Sequence, residues 1–225
     1  MRKLMPTFRS PYILVLTCFL LLLSGCSLRP SQDASTSQAP ATLIKQHQAQ
    51  IEAIAQWHIR GRMAFFNTLE DDRSTATLTW QKETTLSSLR LSHPLRGTLA
   101  RLTQTATQAS LTDMQGKSYY APTVDQLLAW QLGIHLPFQL VEQAITGRKP
   151  AELGNDYRYY PDGTLASYQV ASTSLQGGQD LWHIALSRYK GVDTPLGTLL
   201  LPHELEITHA NYRIRLQINN WSQIQ

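Results

Sequence analysis

Apolar and polar residues alternate with a period of two along much of the chain. The segment Trp57–Phe65 and the segment Tyr212–Trp221 show this alternation most regularly. A period of two is typical of a β-strand with one buried face. Shorter runs of the same kind predict further strands at 75–80, around 89–91, 98–103, 109–112, 117–121, 158–160, 165–170, 181–189, 197–201 and 204–208.

Three segments have helical spacing instead. Apolar residues within 43–55 predict a short amphipathic helix before the first strand. A capping box at 123–126 and Gly133 bound a second helix, and Pro137 and Gly147 bound a third. We expect ten or eleven short strands among these twelve segments, and with two helices inserted midway they predict a mainly β fold. The strands should form a curved antiparallel sheet whose concave side the helices cover, or else a closed barrel.

The N-terminus has the pattern of an export signal. Three basic residues and no acid lie in the first nine positions, followed by an apolar run at 13–23. That run is too short to cross a bilayer as a helix, which takes about 20 residues. Leu23-Ser24-Gly25-Cys26 resembles the lipobox of bacterial lipoproteins, which implies removal of residues 1–25 and lipidation of Cys26. The alternative is an ordinary secretory signal with an unrelated cysteine.

The sequence predicts three regions. Residues 1–25 form the signal peptide, 26–42 the lipidated cysteine with a flexible tether, and 43–225 the folded domain. The tether is small and polar, and sixteen such residues span roughly 20–25 Å on average. Ser27 resembles the sorting residue of lipoproteins sent to the outer membrane.

Charge and cysteine content indicate which partners and which covalent or metal cross-links the chain can have. Loss of the signal leaves 17 basic and 16 acidic residues, so the mature chain is nearly neutral and no nucleic-acid partner is expected. Cys18 leaves with the signal and Cys26 is predicted to carry lipid, so the domain has no disulfide. No metal site and no cofactor are predicted, because no Cys/His spacing fits a metal.

Catalytic signatures are absent from the sequence. There is no G-x-S-x-G, no H-E-x-x-H and no phosphate loop, and the seven histidines are scattered. We therefore expect no enzyme and no catalytic residues. Five tryptophans lie on predicted strands and helices, where they either fill a core or line a cavity; the sequence leaves both open.

Together these features resemble the outer-membrane lipoprotein receptors of the lipoprotein-localisation system, the LolB family. The resemblance covers roughly residues 46–221. It rests on the lipobox and on segments 57–65, 78–81, 91–97, 132–148 and 216–221.

The resemblance implies an unclosed antiparallel β-barrel of about eleven strands, covered by helices and enclosing an apolar cavity. It implies a monomer in the outer membrane, anchored through Cys26 and facing the periplasm. Such a receptor takes triacylated lipoproteins from a LolA-like periplasmic carrier and inserts them into the inner leaflet, among outer-membrane phospholipid.

The resemblance also assigns a membrane-insertion loop. The family bears an exposed leucine between its third and fourth strands, and this leucine corresponds to Leu95. The loop consists of Pro94, Leu95, Arg96 and Gly97. Taken without the resemblance, it is an ordinary turn with one exposed leucine. Arg96 departs from the small residue expected beside the leucine.

Periodicity assigns a set of cavity-facing residues. They are Trp80, Leu89, Leu91, Leu127, Leu128, Leu132 and Ile145. A register error of one residue would turn a strand's set outward. Two other functions stay open: a lipid-anchored scaffold with a filled β core, and an anchored hydrolase whose triad forms only in space.

Overall fold

The computed structural model describes residues 39–150, 154–173, 179–195 and 197–225. The predicted signal peptide, Cys26 and most of the tether lie outside the described residues, as does the predicted turn at 176–178. Within the described part of the chain, no helix is long and apolar enough to span a membrane.

Three helices and thirteen strands make up the described chain. The helices are α1 (Ala41–Glu52), α2 (Val124–Leu132) and α3 (Phe138–Thr146). The first six strands are β1 (Trp57–Asn67), β2 (Asp72–Lys82), β3 (Leu86–His93), β4 (Gly97–Thr105), β5 (Ala109–Thr112) and β6 (Ser118–Ala121). The others are β7 (Gly154–Tyr159), β8 (Leu165–Thr173), β9 (Gln179–Ser187), β10 (Lys190–Thr194), β11 (Gly197–Leu201), β12 (Glu204–Thr208) and β13 (Tyr212–Ser222).

Eleven of these strands form one antiparallel sheet that is not closed. Their order is β6-β5-β4-β3-β2-β1-β13-β12-β9-β8-β7. The first and last strands of the chain thus pair at the centre, and β6 and β7 are the two edges. This confirms the predicted fold class, a mainly β protein with an unclosed antiparallel sheet of about eleven strands.

A glycine makes the central pairing possible. Gly61 on β1 faces β13 at a shift of register, and a Cβ built there would lie 2.1 Å from the carbonyl oxygen of Gln217. Only glycine lets the two backbones approach this closely. The first and last strands therefore join where a side chain would hold them apart.

Local signals account for the helix boundaries. The Thr123 hydroxyl accepts a hydrogen bond from the backbone N–H of Gln126 at 3.3 Å, as the capping box predicts. Gly133 and Gly147 end α2 and α3 in the left-handed conformation, with φ of +65° and +81°. The first helix begins at Ala41, two residues before the predicted start.

The prediction of ten or eleven strands, with 197–201 among them, is wrong in one respect. Residues 190–194 form an additional strand, and among the described strands β10 and β11 pair with each other in a separate two-stranded sheet. Alternation shows that a segment is extended with one buried face, but it does not show which strand the segment pairs with.

The alternation of strand direction gives the sheet two distinct ends. The β1–β2, β3–β4 and β5–β6 turns lie at one end, which we call the hairpin end. The chain enters β1 at the opposite end, where Ala55 and Gln56 donate backbone hydrogen bonds to the carbonyl of Gln225. The first turn of α1 lies against Gly163, in the β7–β8 turn at that same end. We call it the helix end.

Candidate functional site

The predicted membrane-insertion loop is the turn at the tip of the β3–β4 hairpin. Leu95 is 91% exposed, and Pro94, Arg96 and Gly97 are also exposed. The backbone N–H of Leu95 donates to Nδ1 of His93 at 3.2 Å, and that of Arg96 donates to the carbonyl of His93 at 3.2 Å. These bonds fix the turn, so the leucine is held away from the body.

Trp80, predicted to face a cavity, lies instead at the centre of an aromatic cluster. It is 1% exposed and stacks on Phe138 of α3, with ring centroids 5.0 Å apart. Its indole N–H donates to the Ser87 hydroxyl at 2.9 Å. Trp57 contacts it edge-on at 5.4 Å and also contacts Trp221 at 6.1 Å. Aromatic side chains fill the space that the periodicity left undecided.

The other predicted lining residues divide into three groups. Leu127 and Ile145 are fully buried in the same core, whereas Leu89, Leu91 and Leu128 are half-buried and pack against it. Leu132 is 55% exposed, so its assignment to the interior is wrong for this structure. At 3.6 residues per turn it lies about 140° around α2 from the buried Leu127.

An apolar cavity does exist, but other residues line it. It has a volume of about 420 Å³ and lies at the helix end, between the end of α1, the β10–β11 hairpin and the C-terminus. Its lining includes Ile54, Leu199 and Ile224 together with Ala53 and Pro195. None of the predicted cavity residues belongs to it.

A second cavity, of about 460 Å³, is more polar. It lies beneath the starts of α2 and α3, where Lys82 and Glu142 form an ion pair of 2.9 Å. Burial raises the pKa of Asp125, although the hydrogen bond from the backbone N–H of Phe138 acts in the opposite direction. That hydrogen bond, of 3.0 Å, joins the beginnings of the two helices.

Polar contacts join α1 to the segment that follows α3. The guanidinium of Arg148 donates to the carbonyls of Ile51, Glu52 and Ile54 at 3.2, 3.3 and 2.9 Å. The buried Gln48 donates to the carbonyl of Gly147 at 3.0 Å. We call these contacts the α1 clasp, because they hold α1 beside the apolar cavity.

The described residues give little support to a hydrolase. Ser222 Oγ lies 3.3 Å from Nδ1 of His58, but among the described residues no carboxylate hydrogen-bonds to this histidine. Burial, with a smaller contribution from Arg60, lowers the pKa of His58. No group of three potential metal ligands occurs in the described part of the chain.

Sequence reasoning missed two features. Arg148 gave no signal, because its carbonyl partners are nearly a hundred residues away in the chain. The sequence did contain a signal for the exposed Leu69 and Met114, which lie at the tips of the β1–β2 and β5–β6 hairpins. Each follows closely after a turn residue, Asn67 or Asp113, whose side chain can accept a backbone hydrogen bond.

Among solved structures, the chain is similar to a LolA superfamily protein from Nitrosomonas europaea. The TM-score is 0.50 at 9% sequence identity, over 80% of this chain and 91% of that one. A likeness at this level of identity shows a shared fold.

Sequence comparisons are more specific. Outer-membrane lipoprotein LolB of Psychromonas ingrahamii is 27% identical over 203 residues, which is 90% of this chain and 92% of the relative. The protein of the same description from Vibrio parahaemolyticus is 27% identical over 216 residues, 96% of this chain and 98% of the relative. The family profile described as outer membrane lipoprotein LolB matches residues 55–221. The chain therefore belongs to the LolB family of outer-membrane lipoproteins, which are lipoprotein-trafficking receptors and not enzymes.

Proposed function

We propose that the protein receives triacylated lipoproteins from a LolA-like periplasmic carrier and releases them into the inner leaflet of the outer membrane. The family match over residues 55–221 carries this proposal, and the fold that the chain shares with a LolA superfamily protein supports it. In this proposal the protein acts as a monomer, anchored through Cys26.

The apolar cavity at the helix end is our candidate for the first acyl-chain contact. A methylene group occupies about as much space as a water molecule, roughly 30 Å³, so a chain of sixteen carbons fills about 480 Å³. The cavity, of about 420 Å³, is of the same order. Three chains need more room, so the helices have to separate from the sheet to admit a full triacyl group.

The predicted interior residues take part after this opening. Trp80, Leu127 and Ile145 pack between the sheet and α2 and α3, so separating these layers exposes an apolar surface to the acyl chains. Each methylene group removed from water is worth about 0.8 kcal/mol, so acyl chains left in water would cost tens of kcal/mol. Movement from carrier to receptor to bilayer keeps them covered.

Delivery needs contact with the bilayer, and Leu95 is suited to make it. An exposed leucine on a fixed turn enters the apolar edge of the headgroup region without any rearrangement of the body. Arg96 beside it can bind a lipid phosphate.

The experiment is transfer of a fluorescent triacylated lipoprotein from a purified, loaded carrier. The recipient is the mature chain with Cys26→Ser, which lacks the anchor but keeps the whole body. We expect the label to move to the recipient without nucleotide, and then to liposomes. A recipient that removes no cargo from the carrier contradicts the proposal; a recipient that accepts cargo but does not release it contradicts the delivery step alone.

A further inference from the structure

We propose that the bilayer contacts three hairpin tips and not the β3–β4 loop alone: Leu69, Leu95 and Met114 form one membrane-contacting edge, the hairpin rim. This inference rests on the proposed function, because delivery into a bilayer is what the rim would serve. It adds two contact residues and an orientation of the body on the lipid surface.

The exposure of the three tips is the first observation. Leu69 is 70% exposed, Leu95 is 91% exposed and Met114 is 51% exposed. Scattered exposed apolar residues are ordinary on a protein surface. Here, however, the β1–β2, β3–β4 and β5–β6 hairpins each carry an exposed apolar residue at the tip. Strand direction brings all three tips to the same end of the sheet.

Each tip is held by a side chain that precedes the apolar residue. The backbone N–H of Leu69 donates to Oδ1 of Asn67 at 3.1 Å, as that of Leu95 does to His93. At the third tip, the Asp113 carboxylate accepts backbone hydrogen bonds from Gln115 and Lys117, both at 2.9 Å. The turns are therefore preorganised, and binding would cost little ordering of the backbone.

Sheet register places the tips along one line. Thr77 of β2 pairs with Ser92 near the end of β3, and the β1–β2 hairpin extends five residues beyond this pair. In contrast, β5 ends at Thr112, which lies at the level of Arg90, two residues before Ser92. At about 3.3 Å per residue and 4.8 Å per strand, the tips rise by about 23 Å across about 20 Å. This line crosses the strands at roughly 40°. Strands in barrels tilt by about 35–45° from the axis, so a rim perpendicular to the axis crosses them at about 45–55°, and the line of tips runs within about 10° of that direction.

The charge at the rim fits a surface of lipid headgroups. The turns and the strand ends beside them carry acids and bases in similar number: Glu70, Asp71, Asp72 and Asp113 with Arg73, Arg96, Lys117 and Arg213. Several are already engaged, since Glu70 accepts from Asn67 at 2.9 Å and Arg213 lies over the ring of Phe66 at 4.4 Å. Such a mixed rim matches zwitterionic phospholipid better than a strongly charged protein surface.

The length of chain between Cys26 and the body allows the rim to reach the bilayer that holds the anchor. Thirteen residues lie between Cys26 and Pro40, and their fourteen Cα–Cα steps span no more than about 46–50 Å even when fully extended. With Cys26 lipidated, a membrane is always the nearest large apolar surface. The occupant that we assign to the rim is therefore the phospholipid bilayer.

Single-cysteine labelling tests the rim. The mature chain with Cys26→Ser has no other cysteine, so Leu69→Cys, Leu95→Cys and Met114→Cys each carry one polarity-sensitive fluorophore. Thr107→Cys, in the exposed β4–β5 turn at the opposite end, is the matched control. With vesicles of phosphatidylethanolamine and phosphatidylglycerol, we expect a blue shift at all three tips and none at 107. A shift at 95 alone overturns the rim but leaves the proposed function intact.

Two further outcomes are decisive. Combining Leu69→Gln with Met114→Gln should weaken vesicle binding about ten-fold or more, because the apolar area of two side chains is lost. Acceptance from the carrier and the urea midpoint should not change. If the loaded carrier shifts the probes at 69 and 114 and vesicles do not, the rim is a protein-docking surface and the inference is wrong. If acceptance itself fails in the parent chain, the proposed function fails first.

Discussion

The two ends of the sheet treat apolar side chains in opposite ways. At the helix end, α1, the C-terminus and the β10–β11 hairpin surround a cavity, and the neighbouring aromatic rings are packed out of water. At the hairpin end, leucine and methionine are held in water on fixed turns. This difference fits the two proposed roles, in which one end binds acyl chains and the other contacts the bilayer. Substitutions should therefore separate the two roles.

The largest expected effect is at the aromatic cluster. Trp80→Ala leaves a void between β2 and α3 and should lower the free energy of unfolding by about 3–5 kcal/mol. Urea denaturation followed by circular dichroism measures this loss. Trp130→Ala is the control, since Trp130 is 60% exposed and its removal should cost less than about 0.5 kcal/mol. Similar losses for both tryptophans would contradict the packed interior.

The α1 clasp should give the next largest effect. Arg148→Met keeps the length of the side chain but removes its hydrogen bonds to the carbonyls at the end of α1. We expect a loss of about 1–3 kcal/mol in unfolding free energy and faster amide exchange in α1. Lys149→Met is the control, because Lys149 donates to α1 through its backbone N–H, which the substitution keeps, while its Nζ lies over the ring of Tyr157. Unchanged exchange in α1 would show that the clasp does not hold the helix.

Leu95→Glu should affect delivery without affecting the fold. A carboxylate cannot enter the apolar edge of the bilayer, so transfer to liposomes should fall about ten-fold or more, while unfolding changes by less than about 0.5 kcal/mol. Acceptance of cargo from the carrier should be unaffected. Thr107→Glu adds the same charge at the other end and should alter neither step. Loss of acceptance together with delivery would assign the loop to cargo binding instead.

The smallest effect concerns two histidines near the helix end. Burial is the main cause that lowers the pKa of both His58 and His203 below the ordinary value. A histidine with a lowered folded pKa stabilises the fold above its unfolded pKa of about 6.5, and this stability is lost as the pH falls through the lowered value.

The unfolding free energy should therefore decrease below about pH 6.5, by at most about 1.4 kcal/mol per pH unit for each histidine. Urea titrations at several pH values measure this slope, and His203→Gln should make it shallower. A stability that rises as the pH falls would contradict the assignment.

Much of the fold was predictable because its signals are local. Thr123 and Gln126 begin α2, two left-handed glycines end α2 and α3, and alternation marks β1 and β13. The pairing of β11 was not predictable although its partner β10 directly precedes it in the chain, because Lys190–Thr194 contains one large apolar residue and shows no alternation. Nor could periodicity decide whether Trp80 lines a cavity or fills it. It shows which face is inside, but the volume between layers depends on how both pack.

The candidate site was predictable only in part. Leu95 was assigned through the family resemblance, and the structure shows it exposed on a fixed turn. Leu132 was misplaced, because an apolar residue in the last turn of a short helix can lie outside the buried stripe. The apolar cavity was missed because its lining combines α1, a separate hairpin and the C-terminus, which no sequence pattern connects.

The position of α1 has a consequence for how the molecule stands on its membrane. The first turn of α1 lies against Gly163 at the helix end, so the segment leading to Cys26 leaves the body at the end opposite Leu95. β1 alone is eleven residues long, or about 36 Å, and the thirteen residues between Cys26 and Pro40 reach about 46–50 Å at most. In the proposed arrangement one bilayer holds the anchor at Cys26 and also contacts the rim, so the segment between Cys26 and the body has to bridge the length of the sheet. The length of this segment therefore limits which membrane the rim can reach.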